Sequence, residues 1–517
     1  MHFGFSYIGL VYLVMLMVPN IIWAKNKPRD YEKYVGNERK VFALLERIGE
    51  VLVTTIALFF SDFNLRAWDF WSLWLVISFI LMILYEIYWI RYFKSEKTMR
   101  DQYRSFLFFP VAGASLPVIA FFLLGLYGVN ILMLISVIIL GIGHIGIHLD
   151  HEKEIVGKKK KPALVLRILK WVGIVFVFLI FAPVVFTIGV RNVKYCAHYP
   201  NFINGIDEQT YIELGGQKQY VLITGKNVSN PVIIYLHGGP AFSDVMAISA
   251  YTDKLMDEYT IIGWEQRGTG RTYYKNLKLD PKNASVTFEQ TQSDLDELVD
   301  YARNRFKKDK VIIMGHSYGT IVGSRYVLNH PEKVSSFISI GQYISCKIGD
   351  ELSYKDALSK AERAGDDTSE MKKLHDIYSS DSSISNMLAL RAEISKYHPV
   401  PEEANVAWLG LSSPYYGVED VKWFMTQFSL DDYVELNKAL FDYTLSFNAF
   451  EKELNYEVPV HFISGSEDWI CPVQLVEKYK EKISAPEKTL TLIEGAGHSP
   501  QFDLPEKFAE YVKRDLR

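Results

Sequence analysis

Val311-Ile312-Ile313-Met314-Gly315-His316-Ser317-Tyr318-Gly319 joins a short, largely β-branched apolar run to the pattern G-x-S-x-G. The run reads as a buried strand, so Ser317 falls on a sharp turn at its end, a nucleophile elbow. Glycine is needed on either side because a side chain there would clash as the turn tightens. The pattern alone is short enough to arise by accident. Its weight comes from the segments placed around it.

Working outward, further apolar runs stand at Val232–Leu236, Thr260–Gly263, Ser336–Ile340, Val460–Ser464 and Leu490–Ile493. Runs apolar on both faces indicate strands of a covered parallel sheet. Helical stretches fall between them at Gln290–Arg305, Tyr318–Asn329 and Pro472–Lys482, and this alternation predicts a doubly wound sheet. Tyr211–Leu214 and Gln219–Thr224 read as a hairpin about Gly215-Gly216. The alternation stops across 343–456, a helical, aromatic-rich stretch containing Trp408, Tyr415, Tyr416, Trp423 and Phe424. It is expected to form a cap inserted over the C-terminal ends of the strands, where ligands bind in such sheets.

Asp468 follows the strand at Val460–Ser464, and Gly495-Ala496-Gly497-His498 follows the strand at Leu490–Ile493. The order Ser317, Asp468, His498, each just past a strand end, is that of the α/β-hydrolase fold. The residue types fit the chemistry. A serine hydroxyl is a poor nucleophile until a histidine removes its proton, and a carboxylate must fix the imidazole tautomer and steady its cation. Glu467 is an alternative acid. Leu236-His237-Gly238-Gly239-Pro240 ends another strand in a loop whose bare backbone can offer N–H groups to an oxyanion. The N–H of Tyr318 would be the second donor. The catalytic set is therefore Ser317, Asp468 and His498, with Gly238, Gly239 and Tyr318 at the oxyanion and substrate-binding side. No cofactor is called for.

His237-Gly238-Gly239-Pro240, then Trp264-Glu265-Gln266-Arg267-Gly268-Thr269-Gly270, then the elbow, resembles the prolyl-iminopeptidase branch of the α/β hydrolases. Those are serine aminopeptidases that remove an N-terminal residue, often proline. The resemblance runs from about Asn201 to the C-terminus. It implies the same triad, an oxyanion site at Gly238, Gly239 and Tyr318, and a helical cap carrying acids for the substrate's α-amine. Glu402, Glu403 and Asp442 are among the candidates for those acids. This chain departs from the family pattern at Glu265 (usually Asp), His316 (Gly), Tyr318 (Trp) and Ala241 (Gly). A short peptide is the expected substrate, with a small ester of lipid or cell envelope as the alternative. A silent ligand sensor is a further reading, disfavoured by the intact catalytic residues.

The remaining part of the 517-residue chain is of another kind. The first ~190 residues are built of long apolar runs, against ~20 residues for one bilayer span. Spans read as Phe3–Trp23, Trp68–Ile90, Phe106–Leu126, Ile131–Leu149 and Trp171–Val190. A sixth, Val41–Phe60, carries Glu46, Arg47 and Glu50 in its first half. Loops rich and poor in Lys and Arg alternate strictly only if it crosses. Basic loops stay inside, so six spans place both the N-terminus and the hydrolase domain outside the cell membrane. The division expected is 1–192 for the multi-spanning part and 199–517 for the hydrolase. The opening, with Pro19-Asn20-Ile21-Ile22-Trp23 and Lys25-Asn26-Lys27-Pro28, resembles small multi-spanning bacterial membrane proteins of unassigned role. That resemblance supplies no chemistry. The lipid bilayer is thus an expected partner.

His144 and His148 share a helix face at i, i+4, a spacing that suits a metal, with His151 close by. The plainer reading is interfacial histidines. Glu50 and Glu86 sit in apolar segments, where an ionisable group raises a suspicion of function, though snorkelling explains them as well. The run Lys158–Lys161 reads as a positive-inside determinant. A formal net charge of −4 gives no reason to expect nucleic acid. Cys196, Cys346 and Cys471 are an odd, widely spaced set, which makes neither a disulfide framework nor a metal site.

Overall fold

The computed structural model describes residues 1–34, 38–107, 109–156, 164–198 and 204–517. The chain divides into two compact units, Met1–Ala197 and His198–Arg517. The basic run Lys158–Lys161 lies outside the described residues.

Among the described residues, six longer helices make the first unit: α1 Tyr7–Lys25, α2 Lys40–Phe59, α3 Leu73–Phe93, α4 Ala112–Tyr127, α5 Ile131–Val156 and α6 Leu164–His198. They stand where the six apolar segments were read. Among the described residues, four helical segments are long and apolar enough to cross a membrane: Tyr7–Lys25, Phe70–Phe93, Ile131–Ile155 and Val175–His198. The other two fall short for separate reasons. α4 starts at Ala112 rather than Phe106, because Pro110 disfavours helix at the residue before it. α2 carries Glu46, Arg47 and Glu50, and it is held in the bundle by backbone contact with α5. A Cβ on Gly49 would lie 2.5 Å from the Leu140 Cα, and one on Gly143 would strike the Glu46 N–H and the Phe42 carbonyl. Small residues at such crossings let helix backbones meet.

The second unit is built on one eight-stranded sheet, ordered β1-β2-β4-β3-β5-β6-β7-β8. β1 (Ile206–Leu214) and β2 (Gln217–Gly225) form the antiparallel hairpin, and β2 pairs antiparallel with β4 (Thr260–Trp264). β3 (Val232–Leu236), β5 (Val311–His316), β6 (Val334–Ile340), β7 (Val460–Gly465) and β8 (Lys488–Ile493) complete a parallel run with β4. Successive side chains go to opposite faces. Ile234, Ile262 and Ile313 pack with Leu295, Leu298 and Val299 of α7 (Phe288–Phe306). Their neighbours Ile233, Ile261 and Ile312 pack with Phe508 and Val512 of the C-terminal helix Pro505–Asp515. Helices on both faces are why these runs are apolar without a break. Between β6 and β7 the chain forms a series of helices, from Cys346–Ala364 to Lys438–Ser446.

Candidate active site

β5 leads into α8 (Tyr318–Asn329) through Ser317, which takes φ 52° and ψ −119°. A non-glycine residue there is strained, and that strain is what projects the side chain from the turn. The flanking glycines fit the tight turn read from sequence. A Cβ on Gly315 would strike the Gly319 carbonyl, and one on Gly319 would strike the Leu236 carbonyl of β3. The Ser317 N–H donates to the Ile340 carbonyl at 2.9 Å, which fixes the elbow to β6.

β7 and β8 deliver the other two expected residues to the same edge. His498 Nδ1 stands 3.0 Å from both Asp468 oxygens. Asp468 Oδ1 also accepts from the Ile470 and Cys471 N–H groups, at 3.0 and 2.8 Å, so the carboxylate is held before histidine reaches it. Glu467 does not take this role; its Oε1 accepts from the neighbouring Ser466 hydroxyl. With Nδ1 engaged, Nε2 is the His498 nitrogen left for a serine. Ser317 and His498 line one cavity of about 350 Å³ together with Gly238 and Gly239. The Cys471 sulfur lies close to Asp468 and His498, a grouping a metal could use. Burial pushes the Cys471 thiol well up, however, and a protonated thiol is a poor ligand.

Two residues to which sequence reading gave no role hold this arrangement. His316 Nε2–H donates to the His498 carbonyl at 2.9 Å, tying the elbow to the histidine loop. Burial pulls the His316 imidazole down to about 3, so it is neutral, and the bond to a carbonyl places its proton on Nε2. Gly341, at φ 55°, closes β6 beneath the dyad. A Cβ there would lie 3.2 Å from Asp468 Oδ2 and from His498 Nδ1. A glycine following an apolar strand was the available signal for it.

The Gly238-Gly239 loop is braced from two sides. The Gln266 N–H donates to His237 Nε2 at 3.3 Å, its side-chain amide donates to the His237 carbonyl at 3.2 Å, and His237 Nδ1 faces the Gly238 carbonyl at 2.8 Å. Burial pulls His237 down to about 4, again neutral. From the helical segment between β6 and β7, Tyr433 donates to the Pro240 carbonyl at 2.8 Å and Trp423 Nε1 to the Ala241 carbonyl at 3.0 Å. A Cβ on Gly238 would lie 3.2 Å from the Ser317 Cβ, so only glycine lets that backbone come so near the elbow. Tyr318 opens α8, where first-turn N–H groups have no partner within the helix.

The Glu265-Gln266-Arg267-Gly268 motif is framework. Arg267 Nε and Nη2 donate to the two Asp294 oxygens at 2.7 and 2.8 Å. Arg271 sits between Glu265 and Asp420, the latter from helix Val418–Phe428. Burial pushes both carboxyls up, while the guanidinium between them pulls both back. The helical segment gives the cavity chiefly apolar walls, among them Ile384, Met387, Leu430 and Phe441. Its cation, Arg391, donates to Asp350 at 2.8 Å. The expected amine-binding acids are not brought here. Glu402 and Glu403 are exposed and outside the cavity lining, and Asp442 pairs with Lys438 on the surface.

Residues 231–366 match the α/β-hydrolase fold family. With the sheet above, the C-terminal region has the α/β-hydrolase fold. Its homologues include aminopeptidases and proline iminopeptidases, covering about 59% of the chain. The probable aminopeptidase YbaC of Bacillus subtilis is 25% identical over 312 residues, spanning 59% of this chain and 95% of its own length. Proline iminopeptidase PfmaB of Pestalotiopsis fici is 25% identical over 306 residues, 59% and 98% of the two chains. Epoxide hydrolase 1 of Caenorhabditis elegans is 24% identical over 328 residues, 61% and 72%.

Proposed function

We propose that this protein is a membrane-anchored serine hydrolase that removes N-terminal residues from short peptides on the outer side of the membrane. The observation that carries the reading is the shared cavity of Ser317 and His498, with His498 Nδ1 facing Asp468. Ser317 Oγ attacks the scissile carbonyl as His498 Nε2 takes its proton, and Asp468 steadies the imidazolium. The N–H groups of Tyr318 and of the Gly238-Gly239 loop hold the oxyanion; losing one such donor costs about 3 kcal/mol. The imidazolium then protonates the leaving amine, the C–N bond breaks, and an acyl-enzyme remains on Ser317. Water gives a proton to His498 and attacks the ester, which releases the acid and restores Ser317. The helices between β6 and β7 serve as a cap that limits entry to small substrates, a role supported by their walls around the cavity. The peptidase-named homologues support the substrate class. The outward orientation rests on loop charge.

A second reading, an esterase acting on lipid or envelope esters, is favoured by the apolar cap side of the cavity and by the absence of Glu402, Glu403 and Asp442 from its lining. One experiment separates the two: fluorophore release from a free prolyl amide and from its N-blocked counterpart, with a Ser317→Ala control. Ser317-dependent cleavage of the free form alone supports the aminopeptidase. Cleavage of neither, by protein that still reacts with a fluorophosphonate, moves the case to esters.

A further inference from the structure

The N-terminal unit holds a partly open cavity of about 220 Å³, walled by residues of α1 to α5 and by Gln102. The hydrolase chemistry makes no use of it. For scale, an apolar cavity of about 150 Å³ accepts benzene. The lining is aromatic, with Trp23, Tyr85, Tyr88, Trp89 and Phe121. Trp89 meets Tyr88 and Tyr85 edge-on, at ring separations of 5.3 and 6.1 Å. One carboxylate, Glu50, stands in the same wall.

Most polar groups here already have partners. Glu46 holds His144 Nδ1 at 2.5 Å, His144 lies 4.6 Å from the His148 ring, and His148 Nδ1 faces the Tyr103 hydroxyl at 2.9 Å. Asn20 donates to the Tyr85 hydroxyl at 3.2 Å, Trp23 Nε1 to Gln102 Oε1 at 3.2 Å, and the Tyr88 hydroxyl to the Gln102 carbonyl at 2.7 Å. Two groups are left over. Glu50 is exposed at the cavity wall and makes no hydrogen bond or ion pair among the described residues, with Arg47 and His144 close enough to act on its charge. Trp89 Nε1 is buried without a well-aligned acceptor, the Tyr85 hydroxyl being the polar group beside it. The histidine spacing read from sequence as suited to a metal is spent instead on Glu46 and Tyr103.

A carboxylate without a hydrogen-bonded partner beside several aromatic faces is the recognition chemistry of an organic ammonium, which gains from both the opposite charge and the ring quadrupoles. We propose that this cavity binds a small molecule carrying a protonated amine, with Glu50 as its counter-ion and Trp23, Tyr85 and Trp89 as its walls.

The test is calorimetric titration of full-length protein in detergent at about pH 7, where an alkyl amine is charged. Benzylammonium is the probe and benzyl alcohol the neutral control. Saturable binding of the ammonium alone is expected, weakened at least about tenfold in Glu50→Gln, as loss of a charge pair in a partly dry site requires. Leu16→Trp, which fills the cavity from α1 and keeps the carboxylate, abolishes binding and covers the case in which Glu50→Gln fails to fold. No binding by the native chain, equal binding of the alcohol, or unchanged binding in either monodisperse variant overturns the proposal.

Discussion

The hydrolase unit and the N-terminal unit treat buried charge differently. In the hydrolase, Arg267 is matched by Asp294, Arg271 by Glu265 and Asp420, and Arg391 by Asp350. Apart from Glu265, six residues from Arg271, the partners come from separate segments of the chain, and removing one partner would leave an uncompensated charge, typically a loss of about 3–5 kcal/mol. Those charges are framework. In the N-terminal unit Glu46 is paired with His144, while Glu50, at a cavity wall, has no hydrogen-bonded partner among the described residues. The comparison separates two uses of a carboxylate: a closed pair fixes the chain, and an open one is free for something that arrives.

The largest expected effect sharpens the hydrolase side. Ser317→Ala should lower hydrolysis at least about a thousandfold and abolish fluorophosphonate labelling, with the melting temperature nearly unchanged. Residual activity near the native rate would remove Ser317 as the nucleophile. On the other side, Gly143→Leu should push α5 off α2 at the Glu46 backbone. Overpacking of this kind costs about 1–3 kcal/mol or more, read as a lower melting temperature in detergent. An unchanged melting temperature would mean that the two helices do not meet there.

Gly341→Ala falls between. The positive φ and the 3.2 Å approach to Asp468 and His498 should reduce turnover by roughly 10- to 100-fold while Ser317 still labels, a result that places the loss in the dyad. Acid should act on the hydrolase unit through two buried histidines. His237 and His316 titrate at about 4 and about 3 when folded, against an ordinary 6.5. Between those values the unfolded chain binds more protons, so their contribution to stability is full above pH 6.5 and is lost as the pH falls toward 3. Thermal melts across that range should show the loss, and His316→Gln should lessen it. The smallest effect is expected from Tyr433→Phe, which gives up one bond to the Pro240 carbonyl. That should cost about 1 kcal/mol and appear mainly in KM if the helical segment shapes the substrate pocket.

Much of this was legible in the chain. Apolar runs covered on both faces predict strands without reference to their partners, and all eight strands stand where such runs or the hairpin pattern occur. The elbow was legible because its glycines, its serine and its strand are contiguous. Ser317, Asp468 and His498 could be ordered because each follows its own strand, and the structure brings Asp468 and His498 to 3.0 Å. The partner of Arg271 was not legible: Asp420 lies 149 residues away and no local pattern marks it. His316 gave a signal only as a departure from a family pattern, since its bond to the His498 carbonyl spans 182 residues.

Local chemistry, carried by periodicity, strand-end motifs and glycine at forced turns, is therefore determined by the sequence itself. Pairing between distant groups is not, because a side chain carries its charge but not the identity of what will face it. Glu46 and Glu50 look alike on one helix, four residues apart. Only the packing of α5 against α2 decides that one of them meets His144 and the other meets an open cavity.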